Sequence, residues 1–367
     1  MDQRKLRIIV GALGIGLLQF PATQLHAENL EDKVVIKGFM TSAYSITDQA
    51  YPFNGDVDEG GIDDKGSWKG SRIGLNFNAN VTDKVNMATQ FTSTRDEDNF
   101  VTHLDWGFVS YDVTDAITVR AGKVKYSAGL VAEYVDVGVA YPWINPPQLF
   151  YGEESSGPQA TRESYTGMSL LSETTKGDWV FSADLFAGEV PLATMNIREL
   201  TGLTARADWD DIVLLQATHY SGTMNLENAA MNGQKHSSSM IGIKIDWNNI
   251  IAYSEVAKIS MGSFKPGESD TMYVTLGYQF DDWLPHVTYQ QFTKGKNAAA
   301  SLTIPEPYQK QHMTTLGVKI NLDRSTDLKI EYSAIKTDRG VGLFVPPDGA
   351  NLNKSATMLG VALDVAF

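Results

Sequence analysis

The sequence predicts an all-β protein, a transmembrane antiparallel β-barrel of 16 strands within residues 28–367. Three features lead to this prediction. Polar and apolar residues alternate along many segments, short and long connections take turns along the chain, and tryptophans gather at the short connections. Alternation with period two gives a strand one apolar and one polar face, and runs of about ten residues match a tilted membrane strand better than a soluble one.

The alternation is the primary signal for the strands. It is clearest in 71–80, 103–108, 179–187, 241–247 and 359–367, and it slips in the expected first and eleventh strands. After the N-terminal segment, no apolar run approaches the roughly 18 residues that a membrane-spanning helix needs. Only helices and closed barrels satisfy every backbone group in lipid, so insertion into a membrane requires a closed barrel. A large soluble β-sandwich or propeller is the alternative fold.

The connections between the expected strands are of two kinds. Asn, Asp and Gly, which favour tight turns, mark the short ones. Seven short connections fall at 82–83, 114–115, 176–177, 210–211, 248–249, 281–282 and 323–326. Eight longer connections fall at 46–69, 96–100, 127–162, 189–198, 223–237, 261–269, 294–310 and 338–354. Short turns on the periplasmic side and long extracellular loops on the other are the layout of bacterial outer-membrane barrels.

Aromatic residues gather at one end of the expected barrel. Four of the seven tryptophans lie at tight turns, where a tyrosine also lies. Tryptophan favours the boundary between lipid and water because its ring is apolar and its N–H needs a partner. We therefore expect a periplasmic aromatic belt formed by Tyr111, Trp179, Trp209, Trp247 and Trp283.

The N-terminus reads as an export signal. Basic residues precede an apolar segment at 8–18, Pro21 interrupts the segment, and Ala27 offers a small residue for cleavage. The apolar run is too short for a membrane helix and has the flanks of a secretory signal. We expect residues 1–27 to be a signal peptide that directs export to the outer membrane of a Gram-negative bacterium.

The composition excludes several classes of function. The formal net charge is −14, whereas binding to nucleic acid needs a basic face, so we expect no nucleic-acid partner. The chain has no cysteine, which removes disulfides, thiolate metal sites and cysteine nucleophiles.

The longest internal connection, 127–162, is the candidate functional segment. Ordered loops of this length are usually functional, and its aromatic residues argue against disorder. We expect it to fold into the mouth of the barrel and to narrow a pore. The residues expected at this constriction are Glu133, Tyr134, Asp136, Tyr141 and Trp143.

The layout resembles that of Gram-negative outer-membrane porins. The resemblance rests on the signal, the alternating strands, the long third loop and the terminal sequence Leu-Asp-Val-Ala-Phe. In that family the third loop forms the constriction, and the barrel assembly machinery reads a terminal aromatic residue, the role implied for Phe367. The Pro-Glu-Phe-Gly-Gly tip of many general porins is absent from this loop. The segment 120–130 is similar to a strand-and-loop segment of phosphate-selective porins.

With the apolar phase facing lipid, the polar phase lines the lumen. A basic wall is expected from Arg72, Arg95, Arg120, Lys123 and Lys125, the last two if Gly122 marks a bulge that shifts the phase. Other lining residues are expected to be His103, Asp105, Asp184, Arg206, Asp208, Lys244, Lys319, Lys329, Glu331 and Asp364. Basic wall and acidic loop would set a transverse field that orients polar solutes, an arrangement that general porins also have. Alternatively, the arginines pair with nearby acids or hydrate the lumen.

Metal and catalytic signatures are weak. The acidic run at 56–64 opens like a calcium loop, but Ser67 stands where the bidentate glutamate is required, so we expect a solvated acidic loop and no dedicated metal site. Weak binding of divalent cations near the lipopolysaccharide surface is the alternative. The histidines have no metal-ligand spacing, and there is no Gly-x-Ser-x-Gly elbow. His219 and His312 fall on the lipid-side phase, and the sequence assigns no serine beside them. We expect no catalytic residue and no cofactor.

Three functions remain open from the sequence. The first is a porin that lets small hydrophilic solutes and ions diffuse passively. The second is a solute-specific channel for phosphate or another anion, with Tyr126, Tyr134, Tyr141 and Trp143 along a track. The third is an outer-membrane hydrolase. The resemblance implies a homotrimer in contact with outer-membrane lipid and lipopolysaccharide.

Overall fold

The computed structural model describes residues 34–54, 61–96, 99–152, 164–191, 195–226, 232–299, 308–346 and 355–367. The expected signal peptide and most of the acidic run at 56–64 lie outside these ranges. The described residues form a closed antiparallel barrel in which every strand pairs with its neighbours in sequence and β1 pairs with β16. Its strands are β1 Val34–Thr47, β2 Arg72–Asn80, β3 Val85–Asp96, β4 Asn99–Thr114, β5 Ile117–Lys125, β6 Ser164–Lys176, β7 Trp179–Pro191, β8 Met195–Trp209, β9 Val213–Leu226, β10 Lys235–Trp247, β11 Ile250–Met261, β12 Ser269–Tyr278, β13 Trp283–Lys294, β14 Gln309–Asn321, β15 Thr326–Arg339 and β16 Ser355–Ala366.

The fold class expected from the sequence, a 16-strand antiparallel barrel, is confirmed. The tight turns fall where Asn, Asp and Gly predicted them. Asp210, Asp211, Asn248 and Asn249 have φ of 51°, 56°, 47° and 69°, the left-handed geometry that suits a two-residue hairpin. Among the described residues, no helix is long and apolar enough to cross a membrane.

The two faces of the barrel differ as the alternation predicted. Outward side chains such as Leu276, Leu316 and Ile241 are large, apolar and exposed, whereas inward ones such as Thr41, Gln216 and Thr275 are polar and buried. The aromatic residues at the turns point outward. Trp179 and Trp209 are direct cross-strand partners with ring centroids 6.4 Å apart. Tyr111, Trp247 and Trp283 are exposed at strand ends on the same side.

A β-bulge in β4 reverses which side chains of that strand point into the lumen. In the pairing of β3 with β4, Gln90 of β3 opposes Trp106, and the next residue, Phe91, opposes Leu104. Asp105 of β4 is therefore an extra residue without a partner position on β3. Beyond this bulge, Phe108 lies on the inner face, where the Arg120 guanidinium stacks 5.6 Å from its ring centroid. Simple alternation places Trp106 and Phe108 toward lipid. The extra residue reverses the phase, which is how β-bulges re-aim side chains.

The inner face is not polar throughout. Near the loop end, inward residues of β13 to β16 pack with the first and eighth loops in an apolar cluster. Phe53 of the first loop bridges to Phe344 of the eighth, with ring centroids 5.1 Å apart. This cluster consists of Phe53, Ile62, Leu149, Phe292, Met313, Ile335, Leu343, Phe344, Ala356 and Met358. It fills this sector of the lumen on the loop side.

Candidate functional site

The third loop follows β5, and its described part, residues 126–152, crosses the lumen. It contains 3-10 turns at Ala132–Tyr134 and Gly138–Ala140 and a short helix, α1, at Gln148–Tyr151. Pro147 caps α1, where the missing N–H of proline costs nothing. Most of the loop is irregular and buried, so its backbone groups need partners other than a sheet.

Inward side chains of the barrel wall accept hydrogen bonds from the loop backbone. The Leu130 N–H donates to Glu255 Oε1 at 2.8 Å. The Leu149 N–H donates to Gln290 Oε1 at 2.8 Å, and the Ile144 N–H donates to Glu331 Oε1 at 3.0 Å. These acceptors lie on β11, β13 and β15, so the loop is bonded to the wall from β11 to β15.

Basic side chains donate to the loop carbonyls in the same way. Lys319 Nζ donates to the Val139 oxygen at 2.6 Å. Lys329 Nζ, fully buried, donates to the carbonyl oxygens of Gly138 at 2.7 Å and Trp143 at 2.8 Å. Across the seam between β1 and β16, the Arg72 Nε of β2 donates to the Asp136 carbonyl at 2.8 Å. Wall side chains thus take the place of a strand partner for the loop.

The acids of the loop pair directly with bases of the wall. Lys125 Nζ lies 2.9 Å from Asp136 Oδ2 and 3.0 Å from Asp105 Oδ2, and Lys125 is nearly buried. Arg206 Nη2 lies 3.2 Å from Glu133 Oε2. The sequence predicted an acidic loop opposite a basic wall. The structure brings the two into contact, so these pairs hold the loop in place.

Asp136 illustrates the electrostatics of these pairs. Burial by itself raises the pKa of the Asp136 carboxyl, but the charges of Lys125 and Arg72 outweigh burial and hold the pKa below its usual 3.8. The charge of His103, an exposed residue of β4, acts in the same direction. Asp136 therefore stays ionised and attached over the whole neutral and mildly acidic range.

A second charged group lies between the loop and β5 to β8. Arg120 Nη2 lies 2.5 Å from Asp184 Oδ2, and Arg120 Nε donates to Ser169 at 2.9 Å. Beside this pair is a cavity of about 10 Å³ bordered by Arg120, Ser127, Glu133, Asp184 and Arg206. A cavity of this size holds about one water molecule. The polar gap between loop and wall is therefore narrow in this sector.

Aromatic side chains of the loop pack against the wall. Tyr141 and Trp143 are 2% and 1% exposed, and Trp143 Nε1 donates to Thr288 Oγ1 at 2.9 Å. Tyr126 is 3% exposed and packs on Tyr165 and on other wall rings. The sequence predicted that Tyr126, Tyr141 and Trp143 line a track for a solute. In the structure each of these rings packs against other protein atoms, so they do not form an open surface. Tyr134 is half-buried against the same cluster.

Glu255 is a further wall residue that holds the loop, and the sequence did not indicate it. It accepts hydrogen bonds from the hydroxyls of Tyr151 in α1 and Tyr273 in β12, in addition to the Leu130 N–H. Burial, followed by the charge of Glu255, raises the pKa of the Tyr151 hydroxyl well above its ordinary value, so the hydroxyl stays a donor. The alternation slips in β11 because Tyr253, Glu255 and Ala257 all face this packed loop.

Two residues that the sequence placed in the basic wall of the lumen, Arg95 and Lys123, lie instead on the outer face of the barrel. Arg95 is three positions from the buried, inward Thr92 on β3, and Lys123 is three positions from the inward Arg120 on β5, so both take the outward phase. Gly122 has a φ of 140° but pairs with Phe108 and Gly167 without a register shift. The bulge expected at Gly122 is instead at Asp105.

Lys125 still reaches the lumen because β5 ends there and the chain turns inward. Lys244 is half-buried on β10, with its ammonium 5.7 Å from the Tyr253 ring centroid. The described residues contain no group of three or more His, Asp or Glu side chains placed to hold a metal ion.

Comparison with known proteins identifies the fold. No protein-family model matches the chain, and no curated protein matches it. Among solved structures, the chain is similar to an anion-selective porin from Comamonas acidovorans, with 13% identity, 91% of this chain and 99% of that chain covered, and a TM-score of 0.60. The fold is that of a Gram-negative outer-membrane porin.

Two further structures with the porin fold are similar over most of their length. The outer membrane channel DcaP of Acinetobacter baumannii is 12% identical, with 91% of this chain and 97% of that chain covered and a TM-score of 0.59. The trimer form of OmpT, an outer membrane protein of Vibrio cholerae, is 12% identical, with 91% and 99% covered and a TM-score of 0.55. The apolar outer face and the porin fold agree with the outer-membrane location expected from the sequence.

Proposed function

We propose that the chain forms a narrow, water-filled channel for passive diffusion of small hydrophilic solutes and ions across the outer membrane. The observation that carries this proposal is a closed barrel with a largely polar inner face and a third loop held inside it by wall side chains. Porins narrow their pore with this loop, and rings of charged side chains set which ions pass.

The contacts of the loop support a small conductance with weak charge selectivity. Bases and acids at the constriction are matched, as in the pairs of Lys125 with Asp136 and Arg206 with Glu133. Matched charges leave little net charge at the constriction, and an excess of one sign is what favours anions or cations. A solute that passes beside the loop moves through a polar and tightly bordered space.

The test is reconstitution of the folded, full-length protein in a planar bilayer under a potassium chloride gradient. We expect small ohmic steps, a reversal potential close to zero, and no effect of added phosphate. Absence of conductance from protein shown to be folded would overturn the channel proposal. The matched control is the same preparation after heat denaturation, which should give no steps.

A solute-specific anion channel is the second candidate. One structural neighbour is described as anion-selective, and Arg72 and Arg120 do face the lumen of this chain. These arginines are already held by the Asp136 carbonyl and by Asp184, so a phosphate has to compete with existing partners. Saturable block of the current by phosphate, lost in Arg120→Gln, would favour this candidate.

A hydrolase on the outer wall is the third candidate. His219 Nδ1 lies 2.8 Å from Ser239 Oγ on the lipid-facing side, the pairing that a serine nucleophile needs. Among the described residues, no ion pair orients the other ring nitrogen of His219. We propose that the protein is not an enzyme. Ester hydrolysis that disappears in Ser239→Ala would contradict this.

We also propose that the barrel assembles as a homotrimer in contact with lipopolysaccharide. The support is the trimer form of one structural neighbour and the apolar outer face of this barrel. Insertion by the barrel assembly machinery through Phe367 belongs to the same proposal. The Phe367 ring is largely exposed at the end of β16, next to Gly38, so a partner can reach it.

A further inference from the structure

The outer face of the barrel carries a groove across β8 to β13 that conduction does not use. Its volume is about 650 Å³, within the range of ligand-binding sites. The small outward side chains of Ala205 and Ala217 leave a depression between larger neighbours. The apolar floor of this outer groove consists of Leu203, Ala205, Ala217, Ile241, Val256 and Met272.

One edge of the outer groove is polar, and the strand register makes this edge continuous. His219, Ser239, Lys258, Asp270 and Thr293 are direct partners in successive strands, so they form a single row. The row two residues nearer the turns, from Ala217 to Met272, is apolar. A change from apolar to polar within one step is what we expect at the boundary between the hydrocarbon and the headgroups on the loop side.

A basic cluster continues this polar edge on β14 and β15. Lys310 is the direct partner of Thr293, and His312 is the direct partner of Gln291, which also borders the groove. Lys336 is in turn the partner of His312, and Arg339 is the partner of Lys310. The basic cluster, defined as Lys310, His312, Lys336 and Arg339, is therefore in contact with the end of the outer groove.

The basic cluster holds more positive than negative charge. Within the described ranges, the carboxylate that pairs with these residues is Asp338, with its oxygens 3.6 Å from Lys310 Nζ, 3.3 Å from His312 Nδ1 and 3.8 Å from Lys336 Nζ. The Lys336 side chain is 58% exposed. In a chain of net charge −14, a locally basic outward surface at the headgroup level favours an anionic lipid.

We propose that the outer groove and the basic cluster bind one phosphate-bearing lipid of the outer leaflet. An acyl chain lies along the apolar floor, and the phosphate lies against Lys310 and Lys336. A second copy of the chain is the less favoured occupant, because a contact that buries these lysines leaves their charges uncompensated at high cost. The inference rests on the lipopolysaccharide contact proposed above, for which it assigns the binding site, and it is independent of solute passage.

The first test compares two probes on delipidated full-length protein in a non-ionic detergent. Native mass spectrometry measures the binding of lipid A with both phosphates and of the same lipid after removal of both. We expect the phosphorylated lipid to bind more tightly, and added salt to weaken this preference because salt screens exposed charges. Equal binding of the two lipids would overturn the proposal.

The second test removes the charges. Each lysine near an anionic headgroup contributes about a factor of five, so Lys310→Gln with Lys336→Gln should weaken binding of the phosphorylated lipid about thirtyfold. Lys84→Gln with Lys176→Gln removes the same charge at the exposed turns on the opposite end and should leave binding unchanged. Equal loss in both double variants would mean that the cluster has no special role.

The third test fills the groove. Ala217→Leu should reduce binding of both lipids by occupying the floor, whereas Ala121→Leu, outward and exposed on β5, should not. Bilayer conductance recorded in parallel should be the same in all variants, which separates this inference from the proposed channel. Variants that form a dimer through the groove instead of binding lipid would contradict the proposed occupant.

Discussion

Glu255 shows how a single side chain organises the lumen. Its carboxylate accepts from the hydroxyls of Tyr151 and Tyr273 and from the Leu130 N–H, and the residue is 2% exposed. No lysine or arginine is among these partners, so hydrogen bonds alone stabilise the buried group. A hydrogen bond contributes about 0.5–1.5 kcal/mol net, and a donor left unpaired in a buried site costs about 1–3 kcal/mol.

Glu255→Ala should therefore release the start and the end of the described loop together. We expect a loss of about 3 kcal/mol or more in the free energy of unfolding, because buried donors lose their acceptor. We also expect larger and noisier current steps. Thermal unfolding in detergent and single-channel recording measure the two effects. Glu173→Ala, which removes an exposed carboxyl near a turn, is the control and should change neither.

The pH dependence of one ion pair that holds the loop follows from Asp136. The pKa of this carboxyl is lowered, so the stabilisation from its pair with Lys125 is present above the usual aspartate pKa of 3.8 and is lost only as the pH falls through the lower value in the folded protein. We expect the contribution of this pair to loop stability, and the conductance that depends on it, to stay constant from pH 8 to about pH 5 and to change only in stronger acid. Asp136→Asn should give the low-pH conductance at pH 7. Identical currents for the two proteins would rule out this pair as an anchor.

At the scale of elements, the third loop is held against the seam between β1 and β16. Gly138 lies so close to this seam that a Cβ there would be 1.9 Å from the Asp364 carboxylate and 2.7 Å from Thr41 Oγ1. Lys329 Nζ, which holds the Gly138 carbonyl, is also 2.9 Å from Asp364 Oδ2. The loop, β1, β15 and β16 thus share one buried polar group.

Gly138→Ala should push the loop away from the seam. We expect a lower unfolding temperature and a larger conductance, since Lys329 loses loop carbonyls that satisfy it in a buried position. Heat-modifiable gel mobility and bilayer recording measure these changes. Gly177→Ala changes a tight turn where a Cβ meets no neighbouring atom within 4 Å, and it should leave the conductance unaltered. Wild-type conductance in Gly138→Ala would argue against a close-fitting loop.

The sequence predicts elements better than it predicts the site. Strands and turns follow from local alternation and from turn residues such as Asp210 and Asn248, so the number and order of the strands could be derived. The bulge at Asp105 could not, because one extra residue leaves no compositional mark but reverses the phase beyond it. Glu255 was missed because its strand packs on the loop, which makes both of its faces partly apolar.

At the scale of the whole molecule, the orientation in the membrane can be tested directly. The chain has no cysteine, so a single introduced cysteine reports its own location. Lys296→Cys lies in a loop after β13, and Lys176→Cys lies at the tight turn that follows β6. Short turns face the periplasm in outer-membrane barrels.

We expect an impermeant maleimide to label Lys296→Cys on intact cells and Lys176→Cys only after permeabilisation of the outer membrane. The parent chain should remain unlabelled in both conditions. Labelling of the turn on intact cells, with the loop protected, would mean that the barrel is inserted in the opposite orientation.

The seam between β1 and β16 also limits the order in which the chain can fold. Thr41 and Asp364 meet there although 323 positions separate them, and such distant pairings form late because of the entropy of closing the chain. When the seam closes, Lys329 and Asp364 become buried, and Lys329 then needs the carbonyls of Gly138 and Trp143. We therefore expect the loop to be in place before the last two edges join, and a late loop to delay closure and leave two strand edges open to aggregation.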